Sequence, residues 1–421
     1  MIIMLRDDLV LQKLELEKRL AEPYVEREAQ FRNLNSDLIK VVIGPRRAGK
    51  SFFVIHQLQK LGSFGYVNLD DEQLSKVKNF NEILAAVDEL YGSPRYLLLD
   101  EIQNFPRWEL LANRLQRQGR NLFLTGSNSN LLSNELSTHL TGRHTLAHVF
   151  PFSFREFLAL EKLELTTTEK KEKLLTYAQY GGFPEPVVKK MDFADYIARL
   201  FDAVVYKDIV SRYKIRRINT LQEAARILFA NIAKEFSYNS LKNSVQQTSV
   251  ITLQRYVSYL EEAYIFFGIP RFSFKIKEQE RSNKKIYCFD NGFIFAKAFK
   301  ATRDWGRLFE NLTAIELKKA EIDGKLNFYY WKNPQHEEVD FVIKEDTKIT
   351  KLIQVCYDVS NPKTKKREIR ALIKAKQELK CNDLLILTND YEAEESAEWF
   401  GEKAKIKFMP LWKWLLERDN M

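Results

Sequence analysis

The eight residues Gly44-Pro45-Arg46-Arg47-Ala48-Gly49-Lys50-Ser51 constrain this chain more than any other stretch. They follow the apolar run Leu38–Ile43, which reads as a buried strand, and they open a segment from about Lys50 to Leu61 that reads as a helix. A strand that passes through a GxxxxGK[ST] loop directly into a helix turns successive backbone N–H groups toward one point. The helix N-terminus adds positive potential there. Such a loop holds an anion, and its spacing fits the phosphates of a nucleoside triphosphate, with ATP and Mg²⁺ as the expected ligands. Lys50 is expected to reach the β- and γ-phosphates, and the Ser51 hydroxyl to ligate the metal.

The next segments supply what that loop requires. Tyr66–Leu69, Tyr96–Leu99 and Asn121–Thr125 read as further buried strands, with helices over Phe80–Leu90 and Trp108–Gln118 between them. Continuous apolar strands alternating with helices predict an α/β fold with a parallel, doubly wound sheet. The third strand runs out into Asp100-Glu101. Asp100 is expected to hold the Mg²⁺ shell and Glu101 to orient or polarise the attacking water. Without the loop, the same pair would read as a solvated acidic strand end. The fourth strand ends in Gly126-Ser127-Asn128-Ser129. Asn128, with Ser127 as the other candidate, is expected to touch the γ-phosphate or the water, although a plain turn explains the same residues.

Around this core the pattern changes. Leu9–Leu20 is amphipathic and stops before Pro23, giving an N-terminal helical segment over 1–36 and a core over 37–152. Residues 153–217 read as a helical lid, broken once at Gly181-Gly182-Phe183-Pro184. Residues 218–300 read as a winged helix: helices at Thr220–Lys234, Tyr238–Val245 and Ser249–Ala263, then β-like segments at Arg271–Lys277 and Lys285–Phe289. Residues 301–421 read as an α/β domain. It has a helix at Leu308–Ala320, strands at Asn327–Trp331, Val339–Ile343, Lys351–Cys356 and Asp383–Leu387, and a basic helix at Lys363–Leu379.

Composition narrows the partners. With 45% hydrophobic and 29% charged residues the chain reads as globular, and no apolar run is long enough for a membrane helix. The first residues lack the basic and long apolar regions of a signal peptide. Three isolated cysteines fit a reducing compartment, so a cytoplasmic location is expected. His144 and His148 have no nearby Cys or carboxylate to complete a metal site and read as structural. The net charge of +9 makes DNA a plausible partner. Arg255 on the third helix, the wing residues Lys275, Lys277, Arg281, Lys284 and Lys285, and the basic residues Lys365, Lys366, Arg367, Arg370, Lys374 and Lys376 are the candidate contacts. A solvated charged face, or a protein-binding module, would look the same.

The P-loop, Leu99-Asp100-Glu101-Ile102-Gln103, Thr125-Gly126-Ser127-Asn128-Ser129, Leu140-Thr141-Gly142-Arg143 and Pro151-Phe152-Ser153-Phe154-Arg155-Glu156-Phe157 together resemble a prokaryotic AAA+ superfamily ATPase family. Its members carry a C-terminal domain of uncharacterised function. Gly181-Gly182-Phe183-Pro184, Leu308-Phe309-Glu310-Asn311 and Glu338-Val339-Asp340-Phe341-Val342 resemble its later motifs. The resemblance implies an AAA+ core, a helical lid, a winged helix and a restriction-endonuclease-like final domain. It also implies that Arg143 acts as a finger on the γ-phosphate of a neighbouring copy in a homo-oligomer, or else pairs within its own subunit. Arg199 is a weak candidate for a nucleotide-sensing arginine in the lid.

Restriction-like sites place a Glu on a helix, an Asp on a strand and Glu-x-Lys on the next strand. Glu310 or Glu316 and Asp340 could supply the first two. Gln354 and Cys356 stand where the acid and the lysine should be, and neither replaces them. The domain is therefore expected to be inactive, with Lys363 the one unorthodox lysine that could restore a site. The reading that results is an ATP-hydrolysing conformational switch that binds DNA through its C-terminal half. The alternatives are an ATP-regulated metal-dependent DNA nuclease and a protein-interaction scaffold without nucleic acid.

Overall fold

Ile39-Lys40-Val41-Val42-Ile43 is buried at every position and forms the strand β1 (Ile39–Ile43). A computed structural model describes residues 2–417 apart from 78, 128–139, 141, 162, 246–247 and 299–303. The chain divides into two units. One contains Met1–Glu156, Phe183–Lys190 and Glu262–Tyr264; the other contains Phe157–Gly182, Met191–Glu261 and Ile265–Met421.

In the first unit, β1 pairs with β2 (Phe64–Asn68), β3 (Tyr96–Asp100), β4 (Asn121–Gly126) and β5 (His144–His148) in a five-stranded sheet of order β2-β3-β4-β1-β5. Every pairing is parallel. Because side chains alternate along a strand, the sheet buries both faces. On one face Val41, Leu97, Leu99 and Leu124 pack with residues of α3 (Phe80–Tyr91) and α4 (Trp108–Arg117). On the other, Val42, Leu98 and Phe123 pack with Phe53, Val54 and Leu58 of α2 (Lys50–Leu61). The N-terminal helix α1 (Ile2–Leu20) adds Leu5 and Leu9 to the first core and Leu16 to the second. Each such side chain contributes roughly 1.5–3 kcal/mol on burial. The edge strand β5 holds the two histidines read as structural; His144 is half-buried, and burial lowers its pKa. Among the described residues no group of three or more His, Cys, Asp or Glu could hold a metal ion. Nor is any described helix long and apolar enough to cross a membrane.

In the second unit, helices Thr167–Tyr180, Phe193–Ala203, Ile218–Ala230, Tyr238–Ser244 and Val250–Glu262 accompany a three-stranded sheet whose first strand lies between the third and fourth of these helices. That sheet contains β6 (Glu235–Phe236), β7 (Phe266–Ile269) and β8 (Lys284–Cys288), ordered β6-β8-β7. Of the expected strand Arg271–Lys277 only an isolated bridge from Arg271 to Tyr330 is present. Ile276–Arg281 is instead a short helix, with an exposed Lys275–Glu278 ion pair at 2.9 Å beside its first turn. Phe274 and Ile276 are each 73% exposed, so the segment has no buried alternating face to hold it as a strand.

The final sheet has six strands in the order β13-β14-β12-β11-β10-β9. β9 (Asn327–Lys332), β10 (Glu338–Glu345), β11 (Lys348–Val355) and β12 (Leu384–Thr388) occupy the segments read as strands. The hairpin β13 (Ala393–Trp399) and β14 (Glu402–Pro410) was not foreseen. Its first strand, Ala-Glu-Glu-Ser-Ala-Glu-Trp, is composed largely of poor strand formers. It is held by pairing with β14 and by the cross-strand Glu394–Lys405 contact.

Candidate nucleotide site

The loop between β1 and α2 has the backbone its glycines permit. Gly44 lies at φ +149 and Gly49 at φ +92. A Cβ on Gly44 would sit 2.0 Å from the carbonyl oxygen of Val149, and one on Gly49 would sit 3.1 Å from the Arg27 guanidinium. Lys50 is almost fully buried. Its ammonium donates to the carbonyls of Gly44 at 3.1 Å and Pro45 at 2.9 Å, so it lies over its own loop.

Ser51, at the start of α2, donates from Oγ to Asp100 Oδ1 at 2.7 Å. Thr125 Oγ1 donates to the same carboxylate oxygen, and the Tyr66 hydroxyl donates to Oδ2 at 3.2 Å. Asp100 is buried, and burial, with Glu101 beside it, pushes its pKa up against the Thr125 and Ser51 hydrogen bonds. A buried carboxylate met mainly by hydroxyls favours a cation. Adjacent oxygen ligands of an octahedral Mg²⁺ lie roughly 2.9 Å apart, close to the Ser51–Asp100 spacing. Ser51 and Asp100 therefore fit the metal. Glu101 follows at φ +52, a left-handed conformation that non-glycine residues adopt mainly where surroundings enforce it. Its N–H donates to Thr125 Oγ1 at 3.1 Å, and its carboxylate accepts from the Gln103 amide.

These groups share one cavity of about 470 Å³. Arg46, Arg47, Gly49, Lys50, Ser51, Asp100 and Glu101 line it, together with the apolar residues Pro23, Val25, Pro184 and Val188 and the ring of Tyr24. Arg46 reaches Asp70 at 3.8 Å and Arg47 reaches Glu185 at 3.5 Å. Tyr24 stacks on His56 with ring centroids 3.9 Å apart.

Other expected residues lie elsewhere. Asn128 falls outside the described residues. Ser127 is buried, and its Oγ has no hydrogen-bond partner among the described residues. Arg143 is exposed and precedes β5; its carbonyl accepts from Ile39 N at 3.0 Å. That is the N-terminal end of the parallel strands, opposite the P-loop, so Arg143 does not reach the cavity of its own chain. Arg199 forms an exposed ion pair with Asp195 on its own helix.

Sequence reading missed four contributors. The buried Arg27 donates to the Ala48 carbonyl at 2.9 Å, to the Phe150 carbonyl, and to Glu156 Oε1 at 3.0 Å. Glu156 belongs to a quoted motif, which could have marked it; nothing marks Arg27. Tyr66 opens a segment that reads as a buried strand, and Arg19, which donates to the Tyr66 hydroxyl at 3.2 Å, lies unmarked within the amphipathic segment Leu9–Leu20.

The C-terminal candidates occupy a buried charge cluster. Lys285, expected on an exposed wing, is 2% exposed. It contacts Glu310 at 2.9 Å, Asp340 at 3.1 Å and Glu338 at 2.5 Å. Burial pulls the Lys285 pKa down, but Glu310, Tyr287, Asp340 and Glu338 outweigh it and the net shift is upward. Lys285 cannot meet DNA, because β8 turns it inward. Gln354 accepts from Asp340 N at 3.2 Å and donates to Glu368 at 2.6 Å, so its amide links the backbone of β10 to the Glu368 carboxylate. Burial pushes the Cys356 thiol up to about 11. Glu316 pairs with Lys319 at 2.8 Å, and Lys363 is exposed at the start of its helix. The basic helix Pro362–Leu379 spends much of its charge internally: Lys365 pairs with Glu395, Arg367 with Glu368, Arg370 and Lys374 with Glu337, and Lys376 with Glu402, while Lys366 is exposed.

The similarities to known proteins follow this division. Residues 36–158 match a family described as an AAA domain. Residues 171–303 and 305–414 match two domains of unknown function, DUF8612 and DUF4143. The uncharacterized protein MJ1544 of Methanocaldococcus jannaschii is 33% identical over 97% of this chain and 95% of its own length. An uncharacterized protein of Haemophilus influenzae is 28% identical over 80% of this chain and 86% of its own length. Among solved structures, the Walker-type ATPase paby2304 of Pyrococcus abyssi is 14% identical with a TM-score of 0.41, covering 61% of this chain and 90% of that one.

Proposed function

The chain belongs to one family with the uncharacterized protein MJ1544 and carries an AAA domain, and from that premise we propose that it binds and hydrolyses Mg-ATP as a conformational switch. The observation that carries this reading is the meeting of Lys50, Ser51, Asp100 and Glu101 around one cavity, with the Ser51 hydroxyl 2.7 Å from Asp100. Gly44, Pro45, Arg46, Arg47, Ala48 and Gly49 supply the backbone cradle, and Lys50 swings from its own carbonyls onto the β- and γ-phosphates. Ser51 and Asp100 would hold Mg²⁺, which would supply charge to neutralise the phosphates. Glu101 orients the attacking water. Pro23, Val25, Pro184 and Val188 and the ring of Tyr24 line the same cavity and would receive the base. Phosphate release by wild type, Lys50→Ala and Glu101→Gln tests this. Both variants should lose most of the activity, and equal rates in all three would end the reading.

A second reading, contact with DNA, is supported by the helix and strand order of 218–290, which follows a winged-helix pattern, and by exposed Arg255 on its third helix. The internal pairing of Lys285 and of the basic helix weakens it. Affinity for a labelled duplex that falls steeply with salt would support it, and no binding at low salt would reject it.

A further inference from the structure

The Walker-type acid Asp100 is held from a direction the P-loop does not supply. Arg19, near the end of α1, lines the cavity and donates from Nη1 to the Tyr66 hydroxyl at 3.2 Å. Tyr66 lies on β2, 2% exposed, and its hydroxyl is 3.2 Å from Asp100 Oδ2. Arginine has no acceptor, so the Tyr66 oxygen accepts from Arg19 and its single proton is left for Asp100. The carboxylate is thereby divided: Oδ1 takes the Ser51 and Thr125 hydroxyls, and Oδ2 takes Tyr66. The helix carrying Arg19 is fixed to the same strand. Gln12 accepts from Asn68 N at 2.9 Å and donates to Asn68 O at 3.2 Å. Arg19 precedes the matched AAA domain at 36–158.

We propose that Arg19 and Tyr66 are positioning residues for the metal-binding carboxylate, and that α1 thereby sets how strongly Mg²⁺ tightens nucleotide binding. This rests on the Mg-ATP reading above. The hydrogen bond from Tyr66 fixes the rotation of the Asp100 carboxylate, so that Oδ1 faces Ser51 without reorganisation when the cation arrives. Partners that orient a ligating carboxylate typically change metal affinity by about 10–100-fold when removed. Arg19 acts chiefly through Tyr66, with a smaller direct pull of its charge on Asp100, so its removal costs less and costs little further once the hydroxyl is gone.

The test is equilibrium binding of a non-hydrolysable ATP analogue, with and without Mg²⁺, to the full chain. The wild type should bind several-fold more tightly with Mg²⁺. Tyr66→Phe should lose most of that gain while its Mg²⁺-free affinity stays within about two-fold of wild type. Arg19→Met, a half-exposed position whose change leaves the core intact, should lose a smaller part of the gain. The double variant should stay close to Tyr66→Phe alone, well short of the sum of the two losses. An undiminished Mg²⁺ gain in both single variants, or additive losses in the double variant, would overturn the proposal. A wild type with no Mg²⁺ gain would instead overturn the Mg-ATP reading beneath it.

Discussion

The Arg27 guanidinium lies 3.0 Å from the Glu156 carboxylate in a buried pair, and its other nitrogens hold the Ala48 carbonyl of the phosphate loop and the Phe150 carbonyl. Glu156 also accepts from the N–H groups of Glu28 at 2.7 Å and Ser153 at 2.9 Å. Removing one member leaves the other charge buried without compensation, which typically costs about 3–5 kcal/mol. Arg27→Met should therefore lower stability to urea by that order and weaken nucleotide binding. Adding Glu156→Gln should recover part of the loss. A double variant as unstable as the sum of the singles would show that the two do not act as a pair.

Arg143 faces away from its own cavity, so a role in hydrolysis requires a second copy of the chain. Turnover per chain should then rise with protein concentration. Arg143→Ala should abolish that rise while leaving nucleotide affinity unchanged. Turnover that is independent of concentration, and equal in the variant, would return Arg143 to a structural role.

Lys285 is the cation among Glu310, Glu338 and Asp340. Lys285→Met should destabilise the second unit by about 3–5 kcal/mol, read by urea denaturation. Arg281→Met, at a surface position seven residues from the end of β8, should change stability by less than about 0.5 kcal/mol. Equal stabilities for both variants would contradict the cluster.

Asp290 gives a pH signature. Its carboxylate accepts from Gly182 N and Gly292 N, each at 2.8 Å, yet burial pushes its pKa from an ordinary 3.8 to about 7. Below about pH 4 the folded and unfolded carboxyls are both protonated. Between about 4 and 7 only the unfolded one ionises, so stability falls as pH rises across that window and levels off above it. Asp290→Asn should flatten this slope in thermal unfolding measured from pH 4 to pH 7. A slope as steep as that of wild type would place the titration elsewhere.

The parallel sheet was legible because β1, β3 and β4 are buried runs with no polar alternation, and the P-loop fixed which ends mattered. The lost strand at Arg271–Lys277 has no periodic apolar face to hold it, since Phe274 and Ile276 are both exposed. The missed strand β14 does alternate, with Ala404, Ile406 and Phe408 buried between exposed Lys403, Lys405 and Lys407, so it was legible in the sequence; β13, rich in Glu, depends on its pairing with β14. At the site, motif spacing found Lys50, Ser51, Asp100 and Glu101. It could not find Arg27, Arg19 or Tyr66, whose roles arise from contacts across 21, 47 and 34 positions of sequence. The Gly181-Gly182 turn became explicable only with its partner in view. A Cβ on Gly181 would lie 1.8 Å from Asp290 Oδ1, so the carboxylate and the glycine pair require each other.

The ion cluster also bears on where this chain can be divided. The two domains of unknown function meet between residues 303 and 305, but Lys285 lies before that junction and its three carboxylates lie after it. Cut there, the first piece would carry an ammonium stripped of its counter-charges, and the second an acidic hollow with nothing inside it. The two matched regions are thus separate as sequence families and interdependent as folding partners.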